Sequence, residues 1–491
     1  MAASTMKLGM VKTGDVEYRI DASAREGMRV PVTIYANEAL IAKMETDRTI
    51  DQAVNVAHLP GVKKHVIVLP DGHEGYGFPI GGVAATDFQA GVISPGGVGY
   101  DINCGVRLIR TNLTELDVRP KLRQLVRELY NAVPSGLGNV GALNVSGQQL
   151  DNVLSEGSKW AVSNGYGISS DLEFCEENGT MKHSDPSKVS GEAKKRGSKS
   201  LGTLGSGNHF LEVETVNEIH DPEAARTFGI TGKGQVCVLM HTGSRGLGHQ
   251  VCSDYLRIVE AGASAFNIKL PDRELACAPA GSREAENYRL AMGSALNYAW
   301  TNRQIITYRI RRAFEKVFAM SESDLDMKLV YDVAHNICKV EEHSTDPGNP
   351  KKKEKVFVHR KGATRAFPKG REEIPRTYRA VGQPVLIPGS MGTASWVLLG
   401  REKSMEASFG STAHGAGRMM SRGAAIRTYP FEKVKQDLES KGIMLESASK
   451  KGVVEEAPGA YKDVDSVADV SDKVGIATKV IRLTPMAVVK G

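Results

Sequence analysis

Strand-like and helix-like segments alternate along this chain, with no internal repeat and no long linker. This points to a mixed α/β protein of the α+β kind, folded as a single large domain over residues 1–491. The strand evidence is a series of short apolar runs at residues 65–69, 236–240, 329–333, 356–358, 385–387 and 396–399. The helix evidence is of two kinds. Between residues 116 and 133, Leu122, Leu125, Val126, Leu129 and Tyr130 fall on one face at helical spacing. From residue 283 to 317 the chain lacks proline and is rich in Ala, Leu and Arg. Two polar stretches, 178–199 and the Pro-, Gly- and Lys-rich 345–355, read as exposed surface.

Composition narrows the class. An apolar share of 41% and a charged share of 24% are ordinary globular values and exclude a disordered chain. The 52 glycines exceed the usual share and cluster in short polar runs, where backbone must approach something closely. Six cysteines without a CxxC pair do not make a disulfide scaffold. No run approaches 18 apolar residues and the N-terminus lacks an apolar signal region. The expectation is a soluble, reduced, cytoplasmic protein with no membrane partner. Net charge is +6. Basic clusters occur at Lys194, Lys195, Arg196 and Lys199, at Lys351, Lys352, Lys353 and Lys355, and from His359 to Arg371. Such runs are usually solvated surface, and a phosphate-rich partner is the sharper alternative.

Several apolar runs end on residues fit to hold a metal. Residues 236–240 lead into His241 and TGSRGLGH, and residues 329–333 into Ala334, His335 and Asn336. DINCG sets Asp101 and Cys104 three apart among glycines, and Asn208 and His209 follow a Gly-rich turn. A lone histidine or cysteine is more often structural than a ligand. The shared context argues otherwise here: scattered ligands at strand ends suit a catalytic centre with open positions better than a structural zinc site. Five ligands could hold two metals if the Cys104 thiolate bridged them, an arrangement suited to phosphoryl chemistry.

A second constellation lies near the C-terminus. LIPGSMGTAS supplies Pro388, Gly389, Ser390, Met391 and Ser395. STAHGAGRMMSR supplies His414, Gly415, Ala416, Gly417, Arg418 and Arg422. Gly-rich backbone can cradle phosphate oxygens, and Arg suits phosphate through bidentate hydrogen bonds. No GxxxxGK[ST] pattern occurs, so this is not a Walker A loop. A histidine at the mouth of such a loop could attack an α-phosphate; the bland alternative is a turn with a surface histidine.

The blocks DINCGVRL, GNHF, HTGSRGLGHQV, YDVAHN, HRKGATRAF and HGAGR together resemble the RtcB RNA-splicing ligases, in matching order from about Leu69 to the final VVKG. LPDGHEGYGFPIGG is a further family block. The resemblance implies a 3′-phosphate/5′-hydroxyl nucleic acid ligase with its active site in a deep central cleft. It implies that Asp101, Cys104, His209, His241 and His335 hold two Mn²⁺ ions, although thiolate and imidazole alone would suggest a softer ion such as zinc. It implies that His414 takes GMP from GTP. The nucleotide site would draw on Asn208, His209, Phe210, Leu211, Glu212, His335, Asn336, Pro388, Gly389, Ser390, Met391, Ser395, His414, Gly415, Ala416, Gly417 and Lys490. Arg245, Lys361, Arg418 and Arg422 would meet RNA phosphates. In the implied reaction a 2′,3′-cyclic phosphate is opened to a 3′-phosphate. GMP passes from His414 to that phosphate, and a 5′-hydroxyl displaces GMP.

The implied partners are RNA, as tRNA halves or other broken RNA, and archease, a small protein that assists relatives; the default state is a monomer. Two rival readings use the same residues. A metal-dependent phosphoesterase would need the metal ligands but not His414, and a non-catalytic RNA-binding scaffold would need neither.

Overall fold

The computed structural model describes residues 7–136, 141, 143–346, 348–349 and 351–491. Pro347 and Pro350, part of the expected loop at 345–355, lie outside the described residues. Two large sheets carry the architecture. The seven-stranded sheet runs Val11–Lys12, Glu17–Ile20, Val32–Tyr35, Val66–His73, Ile80–Asp87, Lys353–Lys361 and Asn336–Ser344 in spatial order. The eight-stranded sheet runs Lys328–Ala334, Gly105–Thr114, Gln235–Thr242, Phe210–Ile219, Ala477–Lys490, Ser395–Gly400 and Pro384–Ile387, with Met444–Ser447 pairing in parallel to Ala477–Lys490. All six apolar runs singled out in the sequence are strands of these two sheets, so the mixed α+β expectation holds.

The chain crosses between the sheets at His335. Lys328–Ala334 forms one edge of the larger sheet and Asn336–Ser344 one edge of the smaller, which leaves His335 at the corner. Register brings neighbouring strand ends together. His241 lies opposite both Val106 and Phe210, and Phe210 lies opposite Lys490. Cys104 directly precedes Gly105–Thr114, and His209 directly precedes Phe210–Ile219. The site is therefore built by pairing strands that are distant in sequence.

The helix expected from residue 283 to 317 spans Arg283–Phe318, started by Ser282, whose hydroxyl accepts from the Ala285 amide at 3.1 Å. Many of its polar residues are fully buried, and they pair with the larger sheet. Asp332 takes Arg107 Nε at 2.7 Å and Arg303 Nε at 2.8 Å, while Trp300 Nε1 donates to it at 3.2 Å. Arg303 also donates to the Asn103 carbonyl at 2.9 Å and the Thr242 carbonyl at 3.0 Å. It thus ties down the turn just before Cys104 and the residue just after His241.

Three expectations need correction. The helix proposed over 116–133 is broken into Glu115–Val118, a 3-10 turn at Arg119–Lys121, and Leu122–Ala132. Pro120 has no N–H for the helical ladder, which explains the break. The stretch 178–199 is not all surface: it contains the helix Gly191–Gly197, which buries Ala193 and Gly197, four apart on one face, and Val189 is buried beside it. The run from His359 to Arg371 is not a solvated face either. His359, Arg360, Lys361 and Arg365 are buried, with Arg360 paired to Glu341 at 2.5 Å and Arg365 to Glu177 at 3.0 Å.

Candidate active site

One cavity of about 330 Å³ gathers most of the residues singled out from the sequence. Asp101, Cys104, His241, His335 and Asn336 line one part of it. Pro388 to Met391, His414 to Arg418, Arg422 and Lys490 line another, and Asn208, Phe210 and Lys361 complete the wall.

The metal-competent cluster is tight. One ligand atom each from Asp101, Cys104 and His209 lies within 4.8 Å of the others. Cys104 Sγ is 3.2 Å from His241 Nε2 and 3.5 Å from His209 Nε2, and His209 Nε2 is 2.9 Å from Asp101 Oδ2. The His335 and His241 rings are 5.5 Å apart. His335 Nδ1 is held by the Thr364 hydroxyl at 2.9 Å, while its Nε2 is buried with no hydrogen-bond partner among the described residues. A buried imidazole nitrogen left bare beside a thiol, a carboxylate and two more imidazoles fits a metal ligand. Arg245 donates to His209 Nδ1 at 2.7 Å, which places that ring's proton on Nε2, facing Asp101. Loading a metal there requires Nε2 to release that proton.

Electrostatics agree with a cation site. Burial pushes the Cys104 thiol well above its ordinary value, and the Asp101 carboxylate pushes it further. Burial holds His241 and His335 neutral, well below the ordinary imidazole value, and the surrounding positive groups add to the effect. Burial would raise Asp101, but His209 and Arg245 bring it down to about 2. A neutral imidazole pair, a carboxylate and a thiol awaiting a positive charge form a coherent donor set. Gly243 is required here, because a Cβ would sit 2.5 Å from the Asp101 carboxylate oxygens.

His414 stands 5.2 Å, ring to ring, from His335. Asp71, fully buried at the end of Val66–His73, accepts from the His414 backbone N–H at 2.9 Å and lies 2.5 Å from His414 Nδ1. Burial would raise the Asp71 carboxyl, yet the charge and hydrogen bonds of His414, with the Lys462 ammonium, hold it below the usual carboxylate range. With the ring neutral, an ionised Asp71 holds its proton on Nδ1 and leaves the Nε2 lone pair free. Gly417, at φ +73°, closes this arrangement, since a Cβ there would meet the Asp71 carbonyl at 2.2 Å. Sequence reasoning missed Asp71; the only trace was its place in the LPDGH block.

Other expected residues divide. Leu211 turns away from Phe210 and Glu212, by the two-residue period of a strand, into the apolar core. Buried Glu212 accepts from the Gly392 amide at 3.0 Å and so braces the 388–392 turn. Ser395 is buried in its strand and does not line the cavity. Arg418 spends its donors on Glu456 at 2.8 Å, the Tyr461 hydroxyl at 3.1 Å and the Glu455 carbonyl at 2.9 Å. Arg422 Nε reaches Glu456 at 3.0 Å with its side chain about half exposed. Lys490 donates to the carbonyls of His209, at 2.6 Å, and Gly207; burial brings its ammonium down to about 8. Lys361 donates to the Tyr76 carbonyl at 2.6 Å, and burial lowers it to about 7. Glu456 and Tyr461, in the cavity wall, were not foreseen.

Residues 52–491 match the family model for the tRNA-splicing ligase RtcB. The chain belongs to the RtcB family. Relatives named tRNA-splicing ligase RtcB include one from Thermococcus kodakarensis, 58% identical over 94% of this chain and 95% of the relative. Others come from Pyrobaculum aerophilum, 55% identical over 98% and 99%, and Methanococcus maripaludis, 53% identical over 99% and 100%. The RtcB match takes in the whole larger sheet, four of the seven strands of the smaller one, the metal-competent cluster and the His414 loop.

Proposed function

We propose that this chain is an RNA ligase of tRNA splicing that joins a 3′-phosphate or 2′,3′-cyclic phosphate end to a 5′-hydroxyl end, using GTP and a covalent His414–GMP intermediate. The observation that carries the reading is the single cavity in which His414, its Nδ1 held by Asp71, faces a cluster of metal-competent donors. The RtcB relatives support the same activity. The phosphoesterase and scaffold alternatives leave the His414–Asp71 pair without a purpose.

Asp101, Cys104, His209, His241 and His335 would hold two divalent ions, with Cys104 shared; we take these as Mn²⁺ from the family resemblance. When bound, the ions supply positive charge against the transferring phosphates. The protein's own residues do the rest. Asp71 holds the Nδ1 proton, and the His414 Nε2 lone pair forms a bond to the α-phosphorus of GTP. The bond to the pyrophosphate oxygen breaks and pyrophosphate leaves with the electron pair. An RNA 3′-phosphate oxygen then takes GMP from Nε2. Finally the 5′-hydroxyl oxygen attacks the activated phosphorus, loses its proton and displaces GMP. Phe210, the Pro388–Met391 turn and Lys490 would bound the nucleotide. Lys361, Arg245, Arg418 and Arg422 would neutralise RNA phosphates; Arg418 would have to give up a contact with Glu456 to do so.

Each sheet contains strands from both halves of the chain, which supports one domain over 1–491. Six unpaired, buried cysteines support a reducing, cytoplasmic setting, and no described helix is long and apolar enough to cross a membrane. Archease as an assisting partner, on the resemblance alone, and a monomer, as the default state, complete the proposal. Incubation with α-labelled GTP and manganese, followed by denaturing electrophoresis, tests the central step. The wild type should carry acid-labile label and His414→Ala none; label retained in a folded His414→Ala protein would move the nucleophile elsewhere.

A further inference from the structure

On the cavity wall beside the metal-competent cluster, three rings meet, one pair edge to face and one pair stacked, and the ligation steps above do not use them. Tyr76 and Tyr100 both line the cavity, with centroids 5.7 Å apart at 65°. Tyr100 stacks on His249 at 4.8 Å and 26°. The rear of both tyrosines packs on the apolar cluster that includes Ile93, Val98 and Ile102, so the rings are fixed in place. Their front remains half-open and His249 is exposed. Among the described residues neither tyrosine hydroxyl makes a hydrogen bond, whereas Tyr255, Tyr298 and Tyr378 each donate to a backbone carbonyl. Tyr76 and Tyr100 thus present ring surface to the cavity without being tied to the protein through their polar ends.

The surroundings select the ligand. Lys361 donates to the Tyr76 carbonyl at 2.6 Å, and a Cβ on Gly99, next to Tyr100, would meet the Lys361 stem at 3.5 Å. Tyr100 is the neighbour of Asp101 in the metal-competent cluster. Flat rings beside a buried amine and a phosphate-processing centre match one chemical class, an unpaired nucleobase attached to the reacting phosphate. Of the two RNA ends, the 3′-phosphate strand carries that phosphate covalently; the other contributes only a hydroxyl.

We propose that Tyr100, stacked on His249 and bordered edge-on by Tyr76, forms a platform for the unpaired terminal base of the RNA strand bearing the 3′-phosphate. This rests on the RNA-ligase reading for its substrate. Duplexed ends keep their terminal base stacked on its neighbour, so the platform favours frayed or single-stranded ends over blunt ones.

The test is binding, without GTP or ligation. A short 3′-phosphorylated RNA with 2-aminopurine as its terminal base should lose fluorescence on the wild type and on Tyr100→Phe. Tyr100→Leu should abolish the quench and weaken binding roughly tenfold. His249→Ala, at an exposed position, should weaken binding severalfold while circular dichroism shows the fold unchanged. An RNA with an abasic terminal nucleotide should bind the wild type as weakly as the intact RNA binds Tyr100→Leu. Equal quench and affinity in wild type, Tyr100→Leu and His249→Ala would overturn the platform. So would a quench seen only when the probe sits at the 5′-hydroxyl end. A protein that quenches but never forms a GMP adduct would sink the ligase reading and leave the platform standing; the converse would sink the platform alone.

Discussion

Two regions of this molecule bury charge in opposite ways. Under the larger sheet, Arg107, Arg303 and Asp332 are wholly buried, and each is matched by partners at ordinary hydrogen-bond distances. Asp171 and Arg311 repeat the pattern with two contacts at 2.7 Å. In and beside the cavity, His335 Nε2 and Asp71 Oδ1 have no hydrogen-bond partner among the described residues, and burial takes part of the basicity of Lys361 and Lys490. The difference separates scaffold from machinery. Where buried polar groups are completed within the protein they fix geometry; where they are left incomplete they await something from outside.

The largest effect should come from emptying the incomplete region. Cys104→Ala should abolish RNA joining while the protein stays folded, because the thiol shared by the proposed ions is gone. Replacing Cys237 or Cys277, buried away from the cavity, should cost far less activity. Joining rates with metal content by mass spectrometry decide it, and full activity with two bound metals in Cys104→Ala would sink the bridging role. Next, Asp71→Asn removes the charge that fixes the His414 tautomer. Protein–GMP formation should slow by roughly 10²–10⁴-fold at saturating GTP; a change within twofold would show that the pairing is not functional.

The completed region should respond through stability instead. Asp332→Ala strands two buried guanidinium groups and should lower unfolding free energy by about 3–5 kcal/mol in denaturant titration. Arg303 and Arg107 hold the Asp332 carboxyl below its ordinary value against burial. Its contribution is therefore present above the unfolded value near pH 4 and is lost as pH falls through the lower folded value. The smallest effect concerns Lys361. With its ammonium lowered to about 7, it is charged below that pH and neutral above it. RNA affinity should therefore weaken as pH rises from 7 to 9, by up to about tenfold per unit. Lys361→Arg, charged throughout, should flatten that profile; identical slopes would show that Lys361 meets no phosphate.

What the sequence revealed follows the same division. Strand-end ligands were legible because a histidine, cysteine or aspartate after an apolar run is a local pattern, as at His241 and His335. The helix Arg283–Phe318 was legible from its composition and lack of proline. Asp71 was not, because its meaning depends on His414, 343 residues away. The buried Arg360 and Arg365 were mistaken for solvated charge for the same reason: Glu341 and Glu177, which neutralise them, belong to other segments. Tyr100 gave no signal, since a lone tyrosine among glycines carries no period. The break at Pro120 was the exception, readable in principle from one residue.

The strand Ala477–Lys490 lies between Phe210–Ile219 and Ser395–Gly400 and brings Lys490 to the cavity. A ribosome making roughly 5–20 residues per second leaves Phe210–Ile219 waiting tens of seconds for this neighbour. Until then the nascent sheet has an open edge where an interior strand belongs, and an open apolar edge is a template for wrong pairing. Closing it demands contacts of very high sequence separation, which form slowly. The vulnerable species is thus the half-made chain, and help with folding matters most before the active site exists.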